Sequence, residues 1–187
     1  MTRNTSPARK ARYSTLTDIL DFARQKGEDP FVVLLDCIED PQNLGAIIRT
    51  AECAGVHGVI IPDRHSASLS AGTLRASAGA VEHMRVAMAS SVPNALNQLK
   101  REGLWTVAAD MDGRRAYYDY RFKGPTALVI GGEDHGLGRL TKELCDEVVR
   151  IPMFGETPSL NASVSAAILI YEAVRQRATE GRRPRDK

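Results

Sequence analysis

Short apolar runs alternate along the chain with amphipathic stretches. The run at 31–36 is apolar at every position but the last, which predicts a strand buried on both faces of a sheet. The stretch at 44–54 has apolar residues at helical spacing and is followed by Gly55, which predicts a helix. The same patterns predict strands at 58–61, 81–87, 104–109, 126–130 and 147–151, and helices at 15–26, 68–78, 92–101, 137–144 and 159–177. This alternation predicts an α/β fold with a mostly parallel sheet and helices on both faces.

In such a sheet, ligands bind beyond the carboxyl ends of the strands. That rule selects the segments of the chain in which functional chemistry is expected. They are 36–49, 110–113, 131–138 and 152–161.

Charge is distributed unevenly over the 187 residues. Residues 1–12 contain four bases and no acid, and residues 175–187 contain six bases and two acids, whereas the body between them holds 15 bases and 21 acids. We therefore expect basic tails at 1–12 and 179–187, a helix and linker at 13–30, and one domain at 31–178. Such tails suit either attraction of a polyanion or simple solubility.

Composition argues against several other classes of protein. The three cysteines are widely spaced and the four histidines lack ligand spacing, so we expect neither a disulfide framework nor a metal site. The apolar runs are far shorter than the roughly 18–20 residues of a membrane span, and no signal peptide is recognisable. The expected compartment is the cytoplasm, with no membrane partner.

The first of the selected segments combines an amide and a base on one predicted helix. Pro41 suits the first turn, Asn43 is a candidate cap, and Gly45 lets another backbone approach closely. Arg49 follows Asn43 by about 9 Å along the helix axis, and its side chain leans back toward that end. Such an arginine serves either in a binding site or in an ordinary ion pair.

The second segment, at 131–138, is an acidic, glycine-rich turn. It is neither a phosphate-binding Walker loop nor the glycine fingerprint of dinucleotide folds. Glu133 and Asp134 would repel a phosphate, so the turn suits a ligand with hydroxyl groups or positive charge, or it is a plain turn.

The third segment places Ser159 and Asn161 at the start of the last predicted helix. Both are good capping residues. Met153 and Leu160 add apolar surface, and the combination suits a flat heterocycle attached to a sugar. Separately, bases alternate with aromatic residues at 114–123, a pattern typical of single-stranded nucleic-acid contact or of packing.

In this order, the three segments resemble the three motifs of the SpoU–TrmH branch of the SPOUT RNA methyltransferases. The resemblance extends over about 13–178 and is greatest to the guanosine 2′-O-methyltransferases of large-subunit ribosomal RNA. Two departures stand out. The second motif reads Gly-Gly-Glu-Asp from Gly131 where the family commonly has Gly-Ala-Glu-Gly. Only a short basic tail and one predicted helix stand where relatives usually carry an N-terminal RNA-binding domain, so the chain is either part of a longer protein or binds RNA through its tails.

The resemblance implies a deep C-terminal trefoil knot, a homodimer, and transfer of a methyl group from S-adenosylmethionine to a ribose 2′-hydroxyl of RNA. A large-subunit rRNA guanosine is the expected acceptor. The alternatives are tRNA ribose or a non-catalytic RNA-binding knot protein, and a Rossmann-like nucleotide enzyme is a more distant rival. The implied cofactor residues are Ala109, Gly131, Ile151, Met153 and Leu160. The implied reaction residues are Asn43, Arg49, Glu133, Ser159 and Asn161.

Two roles are open for Arg49. The family's proposed role is that of the base that accepts the ribose proton. An ordinary guanidinium stays protonated at neutral pH and is therefore a poor base. The alternative is a clamp that binds the neighbouring phosphate through its two-pronged guanidinium.

Overall fold

The computed structural model describes residues 13–132 and 136–178. The strands are Phe31–Asp36 (β1), Gly58–Pro62 (β2), Val86–Ala89 (β3), Trp105–Ala109 (β4), Arg115–Ala116 (β5), Thr126–Gly131 (β6) and Glu147–Arg150 (β7). The helices are Leu16–Gln25 (α1), Pro41–Cys53 (α2), Ala71–Ala76 (α3), Val92–Arg101 (α4), Arg139–Leu144 (α5) and Ala162–Ala178 (α6). The predicted basic tails at 1–12 and 179–187 lie outside the described residues.

One parallel sheet organises the described part of the chain. Its seven strands have the order β3-β2-β1-β6-β4-β7-β5, and every neighbouring pair is parallel. The longest pairing joins β1 to β6 in six residue pairs, from Phe31–Thr126 to Asp36–Gly131. Because β1, β6, β4 and β7 are neighbours, the loops that follow them meet at one edge of the sheet.

Helices cover both faces of the sheet, as predicted. Alternate residues of a strand point to opposite faces. Val33 and Leu35 of β1 belong to the apolar core that includes residues of α2 and α6, whereas Val32 and Leu34 belong to the core that includes residues of α1 and α4. The α/β prediction is therefore confirmed.

Four local predictions need correction. Asp40, not Asn43, caps α2: its Oδ1 accepts a hydrogen bond from the Gln42 N–H at 2.9 Å, and α2 begins at Pro41 instead of residue 44. The predicted strand at 81–87 is replaced by a short 3₁₀ helix at Ala80–Glu82 and then β3. The last helix begins three residues later than predicted, and the two-residue strand β5 was not predicted at all.

Candidate cofactor and reaction site

A cavity of about 420 Å³ opens at the carboxyl edge of the sheet. Its walls come from the loops that follow β4, β6 and β7 and from the start of α6. Its volume is within the roughly 300–1,000 Å³ of small-molecule sites. Three of the four segments selected from the sequence therefore contribute to one site.

The path of the chain around β7 brings these loops together. β7 lies between β4 and β5, so the connection from β4 to β5 crosses the carboxyl end of β7. Gly113 in that connection has no room for a side chain, because a Cβ would lie 2.6 Å from the Arg150 nitrogen. Arg150 in turn donates hydrogen bonds to the carbonyls of Gly113 and Arg114, at 2.7 and 2.8 Å.

Glycines make the turn after β6 as tight as the sequence suggested. A Cβ on Gly131 would lie 2.5 Å from the carbonyl carbon of Gly136, and a Cβ on Gly132 would collide with the carbonyl oxygen of Cys37. Gly136 has φ +59°, a conformation that side chains disfavour. The turn therefore folds back on itself beside the end of β1. Glu133, Asp134 and His135 lie outside the described residues.

All of the residues predicted to hold the cofactor line this one cavity, as does Ser159. Ile151, Met153 and Leu160 supply an apolar wall from the loop after β7. Ala109 closes the end of β4, and Gly131 closes the end of β6.

Asn161 connects the cavity to the first motif. Its Nδ2 donates a 2.9 Å hydrogen bond to Oδ1 of Asn43, which lies 118 positions earlier in the chain. Its own Oδ1 accepts from the N–H groups of Ser163 and Val164, at 2.9 and 3.3 Å, so it also caps α6 as expected. The predicted pair of asparagines is thus brought together, next to cavity residue Leu160.

Arg49 lies on α2, further along the same helix, and is exposed. Within 13–132 and 136–178 no hydrogen bond or ion pair engages its guanidinium. The interpretation of Arg49 as half of an ordinary ion pair therefore has no support in the described part of the chain.

Three charged residues of the cavity wall were not singled out from the sequence. The Lys142 ammonium lies 3.2 Å from Oδ1 of Asp110 and 2.7 Å from Oδ2 of Asp112. The hydrogen bond from Lys142 holds the pKa of Asp112 below its usual value, and Asp112 raises the pKa of Lys142. The position of Asp110 directly after a buried strand could have identified it as a candidate site residue from the sequence. Its ion pair with Lys142, some 30 residues away, has no local sequence signal.

The aromatic and basic segment at 114–123 contributes to both packing and surface. Phe122 is fully buried, and burial raises the pKa of half-buried Tyr120 to about 12, so these rings are packing residues. Tyr118 and Arg121 are exposed. The structure thus leaves part of this segment available to a partner.

Within 13–132 and 136–178, no group of three or more His, Cys, Asp or Glu side chains could hold a metal ion, and Cys37, Cys53 and Cys145 are free thiols. No helix of the described part is long and apolar enough to cross a membrane.

A parallel α/β sheet whose carboxyl-edge loops line a nucleoside-sized cavity defines a class of small-molecule-binding proteins. The family model of the SpoU rRNA methylases matches residues 30–171, three quarters of the chain. The chain belongs to the SpoU rRNA methylase family, which confirms the resemblance found in the motifs.

Named relatives agree with this assignment. The chain is 43% identical to YacO of Bacillus subtilis, whose name places it among the TrmH family tRNA/rRNA methyltransferases, over 90% of this chain and 68% of YacO. It is 38% identical to the 23S rRNA (guanosine-2′-O-)-methyltransferase RlmB of Escherichia coli, over 92% of this chain and 69% of RlmB.

Solved structures share the fold. The SpoU methyltransferase AviRb of Streptomyces viridochromogenes, in complex with the cofactor AdoMet, has a TM-score of 0.76 and 34% identity over 81% of this chain. An AdoMet-bound rRNA methyltransferase from Sinorhizobium meliloti has a TM-score of 0.77 and 30% identity over 88% of this chain. This chain spans 59% and 61% of those two chains.

Proposed function

We propose that this domain transfers a methyl group from S-adenosylmethionine to a ribose 2′-hydroxyl of RNA, with a guanosine of large-subunit ribosomal RNA as the acceptor. One observation carries the proposal: the second and third family motifs line one nucleoside-sized cavity, and Asn161, the neighbour of cavity residue Leu160, is hydrogen-bonded to Asn43 of the first motif. The name of RlmB supports rRNA guanosine as the acceptor. The name of YacO also admits tRNA, which is the nearest alternative.

The cavity residues fit S-adenosylmethionine. The apolar side chains of Ile151, Met153 and Leu160 suit a flat purine, and the glycine turn lets a ligand approach the main chain closely. The AdoMet complexes of AviRb and of the Sinorhizobium enzyme support the same assignment. When bound, this cofactor supplies an activated methyl group on a sulfonium, whose leaving group is neutral.

The residues of the chain must then align the acceptor and remove its proton. Asn43 and Asn161 hold each other and position the nucleotide beside the cavity, and Ser159 offers a hydroxyl on the cavity wall. Arg49 is exposed on the same helix as Asn43, so it can reach an RNA phosphate or the reacting hydroxyl. Glu133 is proposed to hold the geometry of the turn.

The C-terminal segment is proposed to thread a loop and form the trefoil knot. Support comes from the placement of β7 between β4 and β5, beneath the connection that joins those two strands. After leaving β7, the chain returns to the cavity and continues into α6, which packs against α2. Arg150 and Gly113 hold that crossing tightly.

A homodimer is proposed on the basis of α6. Val164 and Tyr171 lie seven residues apart on this helix and are 46% and 49% exposed, with half-buried Ile168 between them. This spacing places an apolar strip on one helical face. Sedimentation at several concentrations measures whether two copies associate, as a dimer formed through this strip requires.

Methyl transfer to isolated RNA tests the function. Purified chain, labelled S-adenosylmethionine and either total rRNA or total tRNA are incubated, and blocked 2′-hydroxyl positions are mapped. We expect one modified guanosine in large-subunit rRNA. Cofactor binding without transfer to either RNA would contradict the proposal and favour a non-catalytic role.

Arg49→Lys separates the two roles of the arginine. Lysine keeps the charge but loses the two-pronged geometry, so loss of a phosphate clamp raises KM for RNA and leaves the pH profile of kcat unchanged. If Arg49 is the base, lysine, with an ordinary pKa of about 10.4, shifts that profile instead.

A further inference from the structure

Asp110 presents one carboxylate oxygen to the cavity without a partner among the described residues. It is the first residue after β4, it lines the cavity, and its side chain is only 12% exposed. Its Oδ1 accepts hydrogen bonds from the Asp112 N–H at 3.0 Å and from the Lys142 ammonium at 3.2 Å. Across 13–132 and 136–178, no donor is hydrogen-bonded to Oδ2.

The space beside Oδ2 is kept open by a glycine. A Cβ on Gly136 would lie 3.5 Å from this oxygen, so a side chain there would occupy the volume next to the carboxylate. The positive φ of Gly136 makes glycine the favoured residue on conformational grounds as well. A polar group of a ligand can therefore reach Asp110 from the glycine turn.

The backbone and Lys142 fix where this oxygen points. The Asp110 N–H donates to the Val149 carbonyl at 2.9 Å, and the Asp110 carbonyl accepts from the Gly113 N–H at 3.1 Å. With the main chain and Oδ1 both held, the carboxylate is preorganised. Lys142 is a positioning residue in this arrangement.

We propose that Asp110 is a cofactor-binding residue whose Oδ2 accepts a hydrogen bond from a ribose hydroxyl of the adenosyl cofactor. This inference rests on the proposed function. A carboxylate is an acceptor only, and the ribose of an adenosyl group offers two adjacent neutral O–H donors. The apolar wall across the cavity accommodates the adjoining base.

The α-ammonium of the cofactor's amino-acid end is the other donor from which a carboxylate could accept. At Asp110 it would lie close to the Lys142 ammonium, whose charge is shared between Asp110 and Asp112, whereas a neutral hydroxyl meets no like charge. The truncated ligands described next distinguish the two donors.

Calorimetric titration with truncated ligands tests the proposal on the whole chain. The ligands are S-adenosylhomocysteine, 5′-methylthioadenosine, and the 2′-deoxy and 3′-deoxy forms of the latter. A hydrogen bond to a carboxylate should make the wild type bind methylthioadenosine about tenfold or more tightly than at least one deoxy form. In Asp110→Ala that ratio should fall to about twofold or less, while S-adenosylhomocysteine and methylthioadenosine weaken by the same factor.

Control variants keep this result interpretable. Glu143→Gln removes an exposed carboxylate from the same helix as Lys142 and should leave every affinity unchanged. Asp110→Leu keeps the branched shape of the side chain without any acceptor and replaces Asp110→Ala if the latter does not fold.

Two results would overturn the proposal. One is an unchanged deoxy discrimination in a folded Asp110 variant. The other is a variant that weakens S-adenosylhomocysteine but not methylthioadenosine, which would assign Asp110 to the ammonium. A chain that shows the expected discrimination but methylates no RNA would contradict the proposed function and leave this inference standing.

Discussion

We expect Gly45→Ala in α2 to destabilise the protein, contrary to the usual preference of helices for alanine over glycine. An alanine inside a helix is normally favoured over glycine by about 1 kcal/mol. Here a Cβ would lie 2.5 Å from the Ala76 Cβ, 2.8 Å from the Thr73 carbonyl oxygen and 2.9 Å from the Ser77 nitrogen. Two of these atoms are backbone, so α3 must move as a unit.

The expected magnitude follows from these opposing contributions. Overpacking of this kind costs typically 1–3 kcal/mol, and rigid backbone neighbours put it near the upper end. After subtraction of the helix preference, a net loss of about 2 kcal/mol in the free energy of unfolding remains. For a chain of this length, that corresponds to a fall in Tm of about 4–8 °C.

Thermal and urea unfolding measure the effect, with Gly155→Ala as the matched control. Gly155 has no atom within 4 Å of its Cβ position and no positive φ, so the control should change stability by less than about 1 kcal/mol. A Gly45→Ala chain that is as stable as the wild type, or more stable, would show that α3 yields easily and refute the reasoning.

Three further predictions test other parts of the structure. Asp146→Asn should lower the free energy of unfolding at pH 7 by about 1.5–3 kcal/mol, because the carboxylate accepts hydrogen bonds from Thr106 and Lys100. Although burial raises the pKa of Asp146, these bonds outweigh it and lower that pKa. The difference in Tm between variant and wild type should therefore shrink as the pH falls below 4 and the wild-type carboxylate is protonated. Burial raises the pKa of Cys145 to about 12, so at pH 8 iodoacetamide should label it at least about 100-fold more slowly than an ordinary exposed thiol, as followed by mass spectrometry. Asn161→Ala should lower Tm by about 2–4 °C because it removes the cap of α6, whereas Asn43→Ala should lower Tm by less. Both variants should reduce methyl transfer. Equal losses in Tm would contradict the capping role of Asn161.

Hydrophobic pattern was sufficient to predict the central strands of the sheet because these strands are buried on both faces. Residues 31–35 are all apolar and all buried, and only the terminal Asp36 is partly exposed. The two-residue strand β5 has no such pattern, since Arg115 is exposed and only Ala116 is buried. A strand that short depends on its partner β7, and pairing between distant segments has no local signal.

The N-cap of α2 was predicted wrongly because two candidate capping residues lie close together in the sequence. Asp40 and Asn43 are both good capping residues, and they lie three positions apart. Pro41 favours the first helical position, which makes Asp40 the cap. Asn43 is therefore released for its contact with Asn161, a pairing across 118 positions that only the folded chain, or the family motifs, could suggest.

The candidate site depends on the strand order more than on any single motif. Because β6 lies between β1 and β4, and β7 follows β4, loops that are distant in the chain become neighbours at one edge. Asn161 then has two structural duties, since one oxygen caps α6 while its amide holds Asn43. Helix position and acceptor alignment are thus coupled at one side chain. A substitution there cannot alter the proposed reaction geometry without also altering the helix that closes the cavity.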